Sequence, residues 1–327
     1  MRVLKVSVRE EGQRLDRMLA KYMTAAPRSF FYKMLRKKNI KLNGKKADGS
    51  EKLTAGDEIT LYLSDDTIDG FRECKKEKRS EEKKYKKKMD IPIIYEDENI
   101  LVLNKPVGVL SQKADKQDYS LVEWLEDHMS DNGGDMVAFH PGICNRLDRN
   151  TSGLVVAGLS IRGLQWMNRL FRQRDLQKYY LCLVHGAVKG QQLLHGYLKK
   201  DEKRNKVAIS KRPENGAVEI ETEYKPVQNL EWEGEEFTLL RIHLITGKSH
   251  QIRAHLASIG HPVVGDSKYG YRDGRLEKKF RIRSQLLHAW QLNFSSVDYL
   301  PESYRGRSFQ AELPDKFAGI IRELSGR

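Results

Sequence analysis

Between Arg72 and Lys88, 14 of 17 residues are charged, and no apolar residue recurs there at helical or strand spacing. Such a run has nothing to bury, so no single hydrophobic core can extend through it. A chain of 327 residues interrupted in this way divides into a small leading unit and a larger trailing one. The expected organisation is a module at 12–64, a flexible basic linker at 65–90 and a main domain at 91–327. Charge follows the same division. Residues 1–71 carry 15 basic and 10 acidic side chains, residues 72–88 carry 10 and 4, and the other 239 residues hold only +3 of the net +14. An excess gathered at one end points to a polyanionic partner.

The leading module reads as two short helices on a small sheet. Leu15, Met18, Leu19 and Tyr22 recur at helical spacing, as do Phe30, Phe31, Met34 and Leu35, with Ser29 as the expected cap after Pro27. Ile40-Lys41-Leu42 runs into Asn43-Gly44, a hairpin signal, and the alternating Ile59, Leu61 and Leu63 after Gly56-Asp57 close the sheet. Arg28, Arg36, Lys37 and Lys38 gather on the second helix and its exit, a placement suited to a phosphate backbone.

The trailing domain alternates strands with few helices. Ile100–Leu103, Val155-Val156, Tyr180–Val184, Glu219–Tyr224 and Phe237–Ile245 read as strands, and Ser160 caps a helix that turns Leu164, Met167, Leu170 and Phe171 to a core. The expected class is α+β, with a large mixed or antiparallel sheet behind a small α/β module. No apolar run approaches the ~20 residues of a membrane span, and the start lacks the apolar core of a signal peptide, so the cytoplasm is the expected compartment. Cys74, Cys144 and Cys182 show no CxxC spacing, and His140 with Cys144 makes too small a set for a metal, so no metal site is expected.

Two stretches carry chemistry. In Asn145-Arg146-Leu147-Asp148-Arg149-Asn150-Thr151-Ser152-Gly153-Leu154, one carboxylate sits between two guanidinium groups. Those groups favour a charged aspartate and also attract phosphate. A carboxylate where a polyanion docks repels its ligand unless it has a chemical task, although an isolated Arg-Leu-Asp would be read as a salt-bridged turn. The second stretch is Thr246-Gly247-Lys248-Ser249-His250-Gln251-Ile252-Arg253-Ala254-His255. A P-loop needs another glycine five residues before Gly247, where Ile242 stands, and no Glu follows His250 as a zinc-protease helix requires. The stretch reads instead as a turn and a helix capped near Ser249, with Ile252, Leu256 and Ile259 on its apolar face and a stop at Gly260 before Pro262. Lys248, Ser249 and His250 at a helix start suit phosphate.

Together these motifs resemble the RluA family of RNA pseudouridine synthases. The Asn145–Leu154 segment is similar to its catalytic loop. Lys178-Tyr179-Tyr180 with Val184-x-Gly186 resembles its second motif. Thr246–His255, followed by Gly260-His261-Pro262-Val263-x-Gly265-Asp266-x-x-Tyr269-Gly270, resembles its third, and Asn104-Lys105-Pro106-x-Gly108 and Leu287-His288-Ala289 fit the flanking ones. Gly12–Asp16, Arg28-Ser29, Leu35–Lys37, Leu42–Gly44 and Leu53–Ile59 resemble the alpha-L (S4-like) RNA-binding module, the companion of the RluC/RluD-like, large-ribosomal-subunit branch. Asn145 and Lys248 depart from the His and Arg usual in the family, at positions expected to border RNA.

The resemblance implies conversion of uridine to pseudouridine without a cofactor, most naturally in large-subunit ribosomal RNA, with transfer RNA as the alternative target. It assigns Asp148 as the catalytic aspartate, Tyr180 as the aromatic beside the base and Arg253 as the partner orienting Asp148. A uridine stacked in RNA is out of reach, so it must be flipped. Arg146, Arg149, Lys248, His250 and Lys105 are the expected RNA contacts near the site. The competing readings are a non-catalytic RNA-binding assembly factor with this fold and a nucleotide hydrolase using Gly247-Lys248-Ser249.

Overall fold

A computed structural model describes residues 1–72, 89–115, 117–131, 138–202, 205–271 and 274–326. Its leading unit is built from strands β1 (Arg2–Lys5), β2 (Ile40–Leu42), β3 (Lys45–Lys46) and β4 (Glu58–Leu61), with helices α1 (Leu15–Tyr22), α2 (Arg28–Arg36) and α3 (Asp65–Gly70). The strands form one antiparallel sheet in the order β1-β4-β2-β3. Asn43 (φ 51°) and Gly44 (φ 73°) turn the β2–β3 hairpin through left-handed backbone, which Asn and Gly tolerate best. Leu15, Met18, Leu19 and Tyr22 are buried, as their spacing implies.

Three expectations are corrected in this unit. The cap of α2 is Pro27, not Ser29, because the proline already fixes the extended turn-in and the helix begins at Arg28. Leu63 lies beyond the end of β4. The linker does not begin at 65. Ser64 accepts a hydrogen bond from the Thr67 N–H to cap α3, Ile68 is buried in the module's core and Phe71 packs 4.8 Å from Phe30. Arg2, on a strand the periodicity did not reveal, ties down Asp65 and Asp69 at 2.9 Å each. The remainder of the expected linker at 73–88 lies outside the described residues. The module also touches the trailing domain: the buried Glu10 carboxylate accepts from Ala138 N–H at 2.7 Å, and Glu11 pairs with Arg162 at 2.7 Å.

The trailing domain comprises β5 (Ile93–Glu96), β6 (Ile100–Lys105), α4 (Leu121–Asp131), β7 (Gly142–Ile143), β8 (Ser152–Gly158), α5 (Ile161–Gln173), β9 (Leu176–His185), β10 (Gln192–Asp201), β11 (Lys206–Ser210), β12 (Val218–Trp232), β13 (Glu235–Leu244), α6 (Gln251–Ser258), α7 (Arg275–Lys279), β14 (Leu287–Phe294), β15 (Ser308–Gln310) and α8 (Asp315–Leu324). Its sheet has 11 strands in the order β11-β10-β12-β13-β9-β14-β8-β6-β5, with β15 beside β14 and β7 beside β8. β8 and β14 run parallel while the other pairs are antiparallel, so the mixed α+β class holds. Ser160 caps α5 by accepting from the Gly163 N–H at 2.9 Å. No helix among the described residues is long and apolar enough to cross a membrane.

The parallel seam aligns the elements that carry the site. Ala289 of β14 faces Gly153 on one side and Tyr180 on the other, so a single cross-strand row joins β8, β14 and β9. Gly153 adopts φ 111°, and a Cβ there would overlap the Ala289 carbonyl oxygen. The row is locked just before it by the buried His288. Its Nε2–H donates to the Ala311 carbonyl at 3.1 Å, leaving Nδ1 to accept from the Ser152 hydroxyl at 2.9 Å. Burial pushes the His288 imidazole down to about 4, so it stays neutral. A Gly153→Ala variant should lose roughly 3 kcal/mol of stability from combined overlap and backbone strain. Urea unfolding checks this, and a parental midpoint would contradict the close approach.

Candidate active site

The segment from Asn145 to Thr151 connects β7 to β8 and is pinned along its length. The Asn145 amide donates to Leu154 O at 3.1 Å and accepts from Val156 N–H at 2.8 Å. Ser111 Oγ lies 2.9 Å from Leu147 O and 3.0 Å from Leu147 N, and Thr151 N–H donates to Asp148 O at 3.0 Å. Asn145, half-buried, is thus a clip from the loop onto β8. Lys105, expected among the RNA contacts, is corrected. It is fully buried, and its ammonium spends its three N–H donors on the carbonyls of Pro106, Val109 and Arg149 at 2.9–3.0 Å. Burial pushes it down to about 7, against the pull of Asp148. Lys105 therefore staples two loops beneath the site.

Helix α6 arrives from the opposite side. Its cap is His250, in left-handed backbone (φ 55°), and not Ser249. The buried Gln251 ties the start of the helix to the preceding turn and to β12: its amide donates to Glu221 O and Thr222 Oγ1 at 2.9 Å and accepts from Thr246 Oγ1 at 2.9 Å and Lys248 N–H at 3.1 Å. At the far end Gly260 (φ 86°) closes a Schellman turn, with Gly260 N–H donating to Ala257 O and His261 N–H to Leu256 O. The chain then doubles back so that Asp266 meets the helix that it has just left.

These supports bring three charged side chains into line. Arg253 Nη1 donates to Asp148 Oδ2 at 2.9 Å, while Nε and Nη2 form a bidentate pair with Asp266 at 2.6 and 2.8 Å. Asp266 also accepts from the backbone N–H groups of Lys268 and Tyr269. The side chain of Arg253 is 6% exposed and that of Asp266 0%, whereas Asp148 is 27% exposed. Burial opposes the charge on Arg253, but its bonds to Asp266 and the charges of Asp266 and Asp148 outweigh this and hold the guanidinium above its usual range. Burial likewise opposes ionisation of Asp266, and Arg253 overcomes it, holding the carboxyl below its usual range. One aspartate is committed to the interior, and the other is offered to solvent.

Tyr180 lies buried on β9, and burial together with the Asp148 charge raises its phenol, which therefore keeps its proton. His250 Nε2 stands 3.9 Å from Asp148 Oδ2, and its Nδ1 lies 3.0 Å from the Tyr269 hydroxyl. Because that hydroxyl accepts from Val207 N–H, its own proton is free for Nδ1, leaving Nε2–H toward Asp148. Burial depresses the His250 imidazole. Arg146, Arg149 and Lys248 are exposed, as are Arg28, Arg36, Lys37 and Lys38 on the leading module. Asp266 and Tyr269 fall within the Gly260–Gly270 motif, but no local pattern in the sequence marks their part in the site. A buried arginine needs a carboxylate, and the sole sequence hint was an acid shortly past the helix stop.

Comparisons with known proteins agree with this architecture. Residues 99–258 match the family model described as RNA pseudouridylate synthase, and residues 13–59 match the S4 domain. An uncharacterized RNA pseudouridine synthase of Aquifex aeolicus is 31% identical over 98% of this chain and 97% of its own. Ribosomal large subunit pseudouridine synthase C of Escherichia coli is 30% identical over 90% of this chain and 89% of its own. Among solved structures, human RNA pseudouridylate synthase domain containing 4 superposes with a TM-score of 0.57 at 22% identity, covering 71% of this chain and 92% of that one, a likeness of fold.

Replacing Asp266 by Ala should cost about 3–5 kcal/mol, since Arg253 would lose its buried partner. Because the Asp266 carboxyl is depressed below its ordinary 3.8, its contribution is fully present above that value and is lost as pH falls toward the folded-state value. Denaturant titrations of parent and Asp266→Asn across pH 2–5 check the sign: the variant's curve should be flatter on the acid side, and parallel curves would contradict it.

Proposed function

We propose that this chain, which belongs to the RluA family of RNA pseudouridine synthases and is an isomerase by that membership, acts on large-subunit ribosomal RNA. The name of the Escherichia coli relative and the charge gathered on the S4 domain support that target. The observation that carries the mechanism is Asp148, partly exposed yet held at 2.9 Å by a buried arginine.

In the reaction the uracil N1–C1′ bond breaks, the base turns and a C5–C1′ bond forms. C5 loses a proton and N1 gains one, so electrons balance without a redox partner. Asp148 supplies the carboxylate that attacks or takes a proton, and Arg253 aims it. The buried phenol of Tyr180 offers a face and a hydroxyl to the base. Uridine reaches this depth only when flipped from its stack, at a cost of about a few kcal/mol. Arg146, Arg149, Lys248 and His250 hold the flanking phosphates.

An Asp148→Asn variant should lose pseudouridine formation by more than about 10³-fold while keeping RNA affinity. Mapping pseudouridines in large-subunit RNA from cells lacking the gene, complemented with either form, reads the outcome. An unchanged map in the deletion would leave an RNA-binding assembly factor as the better reading. Changing Arg28, Arg36, Lys37 and Lys38 together to Gln should lower the slope of log K against log salt by up to about 3, as fewer counterions are released. An unchanged slope would remove the leading module from the RNA-binding surface.

A further inference from the structure

Outside the Asp148 site, one buried acid holds the loop on which Arg253 depends. Glu277 lies on the short helix α7, with a side chain 6% exposed. Its Oε1 accepts from His185 Nε2 at 2.9 Å and from the Gly265 N–H at 3.2 Å. Its Oε2 has no hydrogen-bond partner among the described residues. Burial opposes its ionisation, but the His185 bond outweighs this and holds the carboxyl below its usual range. The two groups it joins belong to the site's own scaffolding. His185 ends β9, the strand of Tyr180, and Gly265 immediately precedes Asp266.

The loop from His261 to Asp266 is laid along the end of β9. His261 Nδ1–H donates to His185 O at 2.9 Å, His185 N–H to Pro262 O at 3.1 Å and Val264 N–H to Leu183 O at 2.9 Å. Gly265 turns at φ 78° with no room for a Cβ, which would overlap the Ser284 carbonyl oxygen. The peptide before Asp266 thus has no room for a side chain at Gly265, and its N–H is held by Glu277. A shift there passes directly to Asp266 and so to the fork of Arg253.

We infer that Glu277 is a positioning residue for the proposed isomerisation: it fastens Gly265 to His185, fixes Asp266, and through Asp266 sets the aim of Arg253 at Asp148. This rests on the catalytic reading of Asp148 above.

The asymmetry of the two carboxylate oxygens supplies the test. Glu277→Gln can place its carbonyl oxygen where Oε1 sits and keep both accepted bonds. Glu277→Asp keeps the charge but withdraws the acceptor by one methylene. The Asp variant should lose about 10- to 10²-fold in kcat, the scale of a small misplacement, with KM within about twofold. The Gln variant should stay within about threefold of the parent in kcat. NMR exchange of the Arg253 Nε–H, which needs no substrate, should accelerate in the Asp variant and remain parental in the Gln variant. His185→Phe keeps a ring against Phe237 and Tyr271 but removes the donor, and should move both readouts in the direction of the Asp variant. Parental kcat in the Asp and Phe variants would overturn the inference, as would a Gln variant as slow as the Asp one, or slowed turnover with Arg253 exchange unchanged. Should the parent form no pseudouridine, the functional reading fails by itself, and the exchange rates still decide the role of Glu277.

Discussion

A guanidinium group taken out of water must be matched by carboxylate, and here Arg253 is matched twice. Asp266, with no exposed surface, takes the Nε and Nη2 edge, and this bidentate grip fixes the plane of the guanidinium. The remaining Nη1 is left pointing at Asp148. Without Asp266 the buried guanidinium would keep only the partly exposed Asp148 as a partner, so the Arg253–Asp266 pair is a condition of folding. Asp148 inherits from it a fixed orientation without being buried itself.

The surrounding polar groups keep that geometry stiff. Gln251, Thr246 and Thr222 form a satisfied buried network at the start of α6, and Lys105 and Ser111 grip the loop of Asp148 from below. Networks in which every donor has an acceptor resist rearrangement, because breaking one bond strands a desolvated group. The parallel β8–β14 seam fixes where the two halves meet. Its close approach at Gly153 brings the root of the Asp148 loop into line with Tyr180.

Local patterns in the chain revealed most of the elements but not the contacts that join them. The Asn43-Gly44 hairpin, the Ser160 cap and the alternating strands were legible because each depends on neighbours in sequence. Asp148 and Arg253, 105 residues apart, were paired through family likeness, since no local signal connects them. Strand β1 and helix α3 span too few residues to show a period, and their packing is long-range, as in Arg2 on Asp65 and Asp69. Lys105 was misread because composition cannot tell a solvated lysine from one whose ammonium is enclosed by carbonyls. Asp266 and Glu277 went unassigned for the same reason: burial turns an ordinary acid into a structural anchor, and burial is a property of the fold.

The coupling between Asp148 and Arg253 in the chemical step tests this account most directly. A double-mutant cycle using Asp148→Asn and Arg253→Met, read as single-turnover pseudouridine formation on large-subunit RNA, measures it. If the arginine acts through the aspartate, the double variant should be about as slow as the slower single one. Losses that simply multiply would mean that the two residues act independently, and the aimed carboxylate would no longer explain the site.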